Sequence, residues 1–187
     1  MLTKNFSGAI LLVVVTTLIF YGLNLTATYS GDHAPEKSLW SSIQWPFPVD
    51  AWPEGRAFYC GFTKCGMEVS VYIRSKVGFC DCYRGVSDDD EIDRIGDLVV
   101  LNGSYAPLAP GTIVSLGGLQ GRARKFIVSV PNQTKQYATG IALSRKCDAI
   151  VATAISDNPL SSVAEERVID LLNSKEIKDW INDLPQS

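Results

Sequence analysis

The sequence predicts an α+β fold: a mostly antiparallel sheet with C-terminal helices packed on one face, preceded by a single N-terminal transmembrane helix. Three observations carry this. Gly8 to Leu23 hold no charged side chain and are mostly Ala, Ile, Leu, Val, Phe and Tyr. A series of alternating or apolar runs follows between Met67 and Ile155, punctuated by Gly, Pro and Asn turn signals. Capped segments with helical spacing close the chain, and strands before helices is the α+β order.

The first element is the apolar run. With Asn24 and Leu25 it is about 18 residues, or roughly 27 Å of helix, close to the hydrocarbon thickness of a bilayer. Its apolar side chains go all round, unlike the one-sided stripe of a core helix. A cleaved signal peptide has an apolar core of about 7 to 15 residues and a small-residue cleavage site. Ala27 or Ser30 could end such a site without a clean A-x-A, and no Cys follows to accept a lipid. The expectation is therefore an uncleaved anchor over residues 1–25, with the bilayer met through residues 8–25; a signal peptide is the alternative. Lys4 and the amino terminus favour a cytoplasmic N-terminus. Either reading exports residues 31 onward.

Residues 26–53 read as a linker, rich in Pro and Trp at its end. The stretch Trp45-Pro46-Phe47-Pro48-Val49-Asp50-Ala51-Trp52-Pro53 is biased towards extended geometry by its prolines. Trp45, Phe47 and Trp52 can dock on the chain's own domain or bind a partner. They lie too far past the helix end for an interfacial aromatic belt.

Residues 54–187 are expected to form one domain. From Met67 to Phe79 apolar residues alternate with Glu68, Ser70, Tyr72, Arg74 and Lys76, the pattern of a strand with one buried and one wet face. Ser87 and the acids after it mark the start of a short helix that ends near Gly96. Further strands are expected at Leu98–Leu101, Thr112–Leu116, Lys125–Val130, Tyr137–Leu143 and Ala149–Ile155. The last is almost continuously apolar, as a central strand covered on both faces should be. Gly117-Gly118-Leu119-Gln120-Gly121 reads as a strand-to-strand turn, since no Lys-Ser/Thr follows it as a phosphate loop requires. Ser162-Val163-Ala164-Glu165 is a capping box, after which Ala164, Val168, Leu171 and Leu172 fall at helical spacing. A second helix starts near Ser174, buries Ile177, Trp180, Ile181 and Leu184, and ends at Pro185.

In an exported domain the five cysteines Cys60, Cys65, Cys80, Cys82 and Cys147 are expected in disulfides. Five allow two bridges and one free thiol. If the alternation continues, Cys80 and Cys82 point to the same side, roughly 6.5 Å apart, at the edge of the disulfide range. Bridges from the Cys60/Cys65 segment and from Cys147 to the Cys80/Cys82 segment are favoured, with no pairing fixed. The alternative is a Cys-x-Cys clamp of Cys80 and Cys82 for copper. The spacings match neither zinc fingers nor a thioredoxin-type Cys-x-x-Cys, and the methionines are only Met1 and Met67. No cofactor is expected on the favoured reading.

The single histidine, His33, sits in the linker, so Ser-His-Asp, Cys-His and histidine-metal chemistry have no support. Asp88-Asp89-Asp90-Glu91-Ile92-Asp93 lacks the spaced acids and the Gly of an EF-hand loop. With 17 Lys+Arg against 20 Asp+Glu, nothing argues for nucleic acid. Arg122, Arg124, Lys125, Arg145 and Lys146 could form a small basic docking patch for an acidic partner if their strands pair.

Cys65-Gly66, Glu68-Val69, Lys76-Val77-Gly78-Phe79-Cys80-Asp81-Cys82, Asp88 to Arg94, Cys147 to Thr153 and Leu172-Asn173-Ser174 together resemble bacterial membrane-anchored proteins of unknown function. The resemblance implies a bacterial inner-membrane protein with a periplasmic domain and implies no activity. A strand followed by a terminal helix running into Leu-Asn-Ser is also loosely similar to the α+β domain of the photosystem II oxygen-evolving P subunit. The expectation for function is a non-catalytic accessory protein that binds or assembles a membrane or envelope complex through a protein partner. The alternative is a thiol- or copper-handling protein that delivers a cofactor to an envelope enzyme.

Overall fold

The computed structural model describes residues 38–48, 50–78, 82–98, 103–130 and 134–185. The anchor segment, His33 and Cys80 lie outside the described residues. Among the described residues no helix is long and apolar enough to cross a membrane.

In chain order the elements are β1 (Ser41–Ile43), β2 (Arg56–Cys60), α1 (Phe62–Cys65), β3 (Val69–Lys76), α2 (Asp89–Ile95), β4 (Ser104–Pro107), β5 (Thr112–Leu116), β6 (Leu119–Ser129), β7 (Gln136–Arg145), β8 (Asp148–Ser156), α3 (Ser162–Asn173) and α4 (Lys175–Asp183). The strands form one antiparallel sheet of 8 strands in the order β1-β2-β3-β8-β7-β6-β4, with β5 also on β6. The fold is thus α+β, with helices near the C-terminus.

β8 is the central strand, and every residue from Asp148 to Ser156 is buried. Its two faces meet different cores. Val69, Val71 and Ile73 of β3 pack with Ile150, Ala152 and Ala154, under Val168 and Leu172 of α3 and Ile177 and Ile181 of α4. On the opposite face Ala149 and Val151 pack against Ile92 and Ile95 of α2, and Ile155 joins Leu98, Phe126 and Val128. Both C-terminal helices therefore cover one face, as expected, and α2 covers the other.

Several elements depart from expectation. Residues 41–43, read as linker, pair with β2, and Trp40 is buried beside them. Of the strand expected at Leu98–Leu101, residues 99–101 lie outside the described residues; Leu98 sits in a helical turn and is buried on the α2 face, and a strand not expected from the sequence runs over Ser104–Pro107. Both expected N-caps move by one residue. Asp88 rather than Ser87 accepts from Glu91 N–H, and Ser161 rather than Ser162 accepts from Ala164 N–H. Gly117 and Gly118 form the two-residue turn between β5 and β6 with φ of 61° and 83°, the left-handed pair that a tight hairpin needs.

Candidate functional site

Thr112, Val114 and Leu116 of β5, Ala123 of β6 and Ile141 of β7 line one wall of a groove whose other wall is α3. Alternation places these strand residues on the face that α3 covers. Leu160, Val168 and Ile169 supply the apolar helical side, and the groove encloses about 400 Å³. Lys125 reaches Glu165 across one end. At the other, Gly117 N–H donates to Asn173 Oδ1 at 2.8 Å. β6 is the sheet partner of β5 among the described residues, so the outer edge of β5 borders the groove as an open strand edge. Ile169 is 44 % exposed there. It lies off the Ala164/Val168/Leu171/Leu172 stripe, and an apolar residue outside the buried face is the one signal of this groove that the sequence carries.

The expected basic patch does not assemble. Lys125 faces α3, whereas Arg122 and Arg124 point from the opposite face of β6 to the acids of α2. Arg122 Nε donates to Asp89 Oδ1 at 3.0 Å and Arg124 Nη1 to Asp93 Oδ2 at 2.7 Å. Gly111 N–H and the Arg122 guanidinium together hold the Asp89 carboxyl below its usual range. The run of acids thus serves as counter-charge to β6. Arg145 is buried at the end of β7, apart from both groups.

The aromatic-proline segment packs on its own domain. Trp45, Phe47 and Tyr72 stack edge to face, with centroids 5.2, 6.1 and 4.8 Å apart. Gly55 permits this: a Cβ there would lie 2.6 Å from the Trp45 ring and 2.1 Å from Ile73 O. Beneath the segment lies a cluster that the alternation pattern placed in water. Arg74 is 3 % exposed and Lys76 5 %. Arg74 Nε and Nη2 donate to Asp97 at 2.7 and 2.6 Å, and Nη1 donates to Asp50 at 2.9 Å. Lys76 Nζ lies 2.8 Å from both Asp97 Oδ1 and Ile95 O. Arg74 lies over the Trp45 ring and Lys76 over the Trp52 ring. Burial pushes the Lys76 ammonium below its usual range, against the pull of Asp97. Burial also works against Asp50, but Trp52 N–H and Arg74 win and hold its carboxyl low. Among the described residues two cations face two carboxylates, and the cluster straps the segment down. Asp50 and Asp97 are the residues that sequence reasoning missed.

Two disulfides form. Cys82–Cys147 ties the turn before β8 to the Cys80/Cys82 segment, in line with the favoured reading. Cys60 and Cys65 correct it: they bridge each other across α1, because the short helix returns Cys65 to within 6.0 Å (Cα–Cα) of Cys60. A copper clamp of Cys80 and Cys82 would require the Cys82–Cys147 bridge to be reduced. Among the described residues no group of three or more His, Cys, Asp or Glu side chains is placed to hold a metal.

No protein-family model matches the chain, and no curated protein matches it with significance.

Proposed function

We propose that this chain is a non-catalytic accessory protein of the bacterial envelope, anchored in the inner membrane through residues 8–25 with its domain in the periplasm. In this reading the groove between α3 and β5 receives an extended segment of the protein partner that it helps to assemble. The observation that carries it is the groove itself. Peptide recognition at a sheet edge joins two features: open backbone groups along one strand, and an apolar slot beside it for alternate side chains. β5 and α3 supply both, with about 400 Å³ of slot. The two disulfides suit an oxidising compartment and support export. The slot gives the partner segment apolar side chains, and the Lys125–Glu165 pair at its end leaves no net charge to select for.

The test is site-specific photocrosslinking in intact cells. A benzophenone side chain at Ile169 or Ser115, both on the groove, should give one defined adduct. The same group at exposed Lys135 should give none. A charge placed in the slot by Val114→Glu should remove the Ile169 adduct. Equal labelling from all three positions, or no adduct from the groove, would reject the docking assignment.

A further inference from the structure

Arg145 ends β7 with 7 % of its surface exposed. Its Nη2 donates to Leu184 O at 3.1 Å, and Asn182 O lies 3.5 Å away. These carbonyls close α4, where the helix dipole favours a cation. That accounts for one end of the guanidinium. Nη1 is buried and makes no hydrogen bond. Asp148, the cross-strand partner of Arg145, accepts from Gly78 N–H at 2.7 Å. Its charge helps the domain tolerate the buried cation, but it leaves the Nη1 donors unused.

The same arginine lines a cavity of about 120 Å³ between the sheet, α4 and the Gly117 turn. Leu119, Leu143, Ile150 and Leu172 form apolar walls, and Lys178 brings a second cation to the lining. Native interiors seldom leave a guanidinium donor unmade, because an unsatisfied buried polar group is costly. An apolar cavity of about 150 Å³ accommodates benzene, so this one suits roughly six heavy atoms. The chemistry that fills it has one anionic head and a short apolar tail. A carboxylate matches the planar fork of arginine.

We propose that this cavity is a binding site for a small aliphatic carboxylate, with its head on Arg145 and Lys178 and its tail among the leucines. The site is separate from the groove reading and does not depend on it. The head could belong to a free short-chain acid or to the C-terminal residue of a peptide ending in an aliphatic side chain.

Calorimetric titration of the full-length chain in non-ionic detergent tests this, with butyrate, butyramide, inorganic phosphate and N-acetyl-glycyl-alanine as probes. Butyrate should bind measurably by about 20 mM, and neither butyramide nor phosphate should match it. Tighter binding of the peptide than of butyrate assigns the site to peptide C-termini; the reverse assigns it to free acids. Arg145→Met should weaken the bound acid on the order of tenfold or more. Leu119→Phe, which fills the cavity from a partly exposed position and keeps the arginine, should also abolish binding. It guards against a merely unfolded arginine variant. Absence of binding, equal binding of butyramide or phosphate, or unchanged affinity in Leu119→Phe overturns the proposal.

Discussion

Asp97 holds two buried cations at once, and its removal is the most damaging single change expected at a side chain. Asp97→Asn keeps the shape and deletes the charge, leaving Arg74 and Lys76 under cover with Asp50 as the counter-charge among the described residues. Breaking a buried ion pair from one side costs about 3–5 kcal/mol. Urea unfolding of the variant should show a loss of that size, and a loss below about 1 kcal/mol would mean the cluster is solvated. Replacing Arg74, Lys76 and Asp97 together by apolar residues should cost less than the single change, since the carboxylate then left without its partner, Asp50, is exposed to water. None of this was legible from the strand pattern. Arg74 and Lys76 fall at the polar positions of a period-2 alternation, and that pattern cannot see what covers a face. The cover comes from Asp97, 23 residues on, and Asp50, 24 residues back.

Helix boundaries make a sharper test of local reading. Ser161 and Ser162 stand side by side at the start of α3. The capping-box pattern selects Ser162, but the backbone enters the helix one residue earlier and Ser161 takes the cap. Ser161→Ala should therefore cost about 1 kcal/mol, whereas Ser162→Ala, at the first helical position, should cost a few tenths at most. Thermal melts of the two variants decide between the registers; equal losses would refute the assignment. Three strand spans follow the sequence closely: Thr112–Leu116 is the expected span although β5 is an edge strand, and β7 and β8, each with a neighbour on both sides, extend theirs by a residue or two at each end. Leu98 departs from its expected strand because a short apolar run fits a buried helical turn as well as a strand. The groove was missed for a related reason. Its apolar lining comes from α3 and three strands, each unremarkable alone.

At the scale of the whole molecule the two disulfides are unequal. Cys60 and Cys65 are 5 residues apart, Cys82 and Cys147 are 65. Loop-closure entropy assigns about 2 kcal/mol to the first bridge and about 4 to the second. The double variant Cys82→Ser/Cys147→Ser should accordingly lower stability by about twice as much as Cys60→Ser/Cys65→Ser, read from urea midpoints at unchanged slope. Equal losses would show that local strain, not chain length, governs both. The sheet gives the longer bridge a second role. β1, β2 and β3 pair with their neighbours in sequence, as do β6, β7 and β8, while the β3–β8 ladder joins the two groups. Zipping either meander is a local event. Joining Lys76 to Ala149 closes a loop of roughly 70 residues and is the slow, entropically steep step of assembly. Cys82 and Cys147 sit just inside that seam. Once they are bonded, a chain whose seam has opened searches for its register over a handful of residues at each end, and the most distant strand pairing in the described sheet becomes one of its nearest.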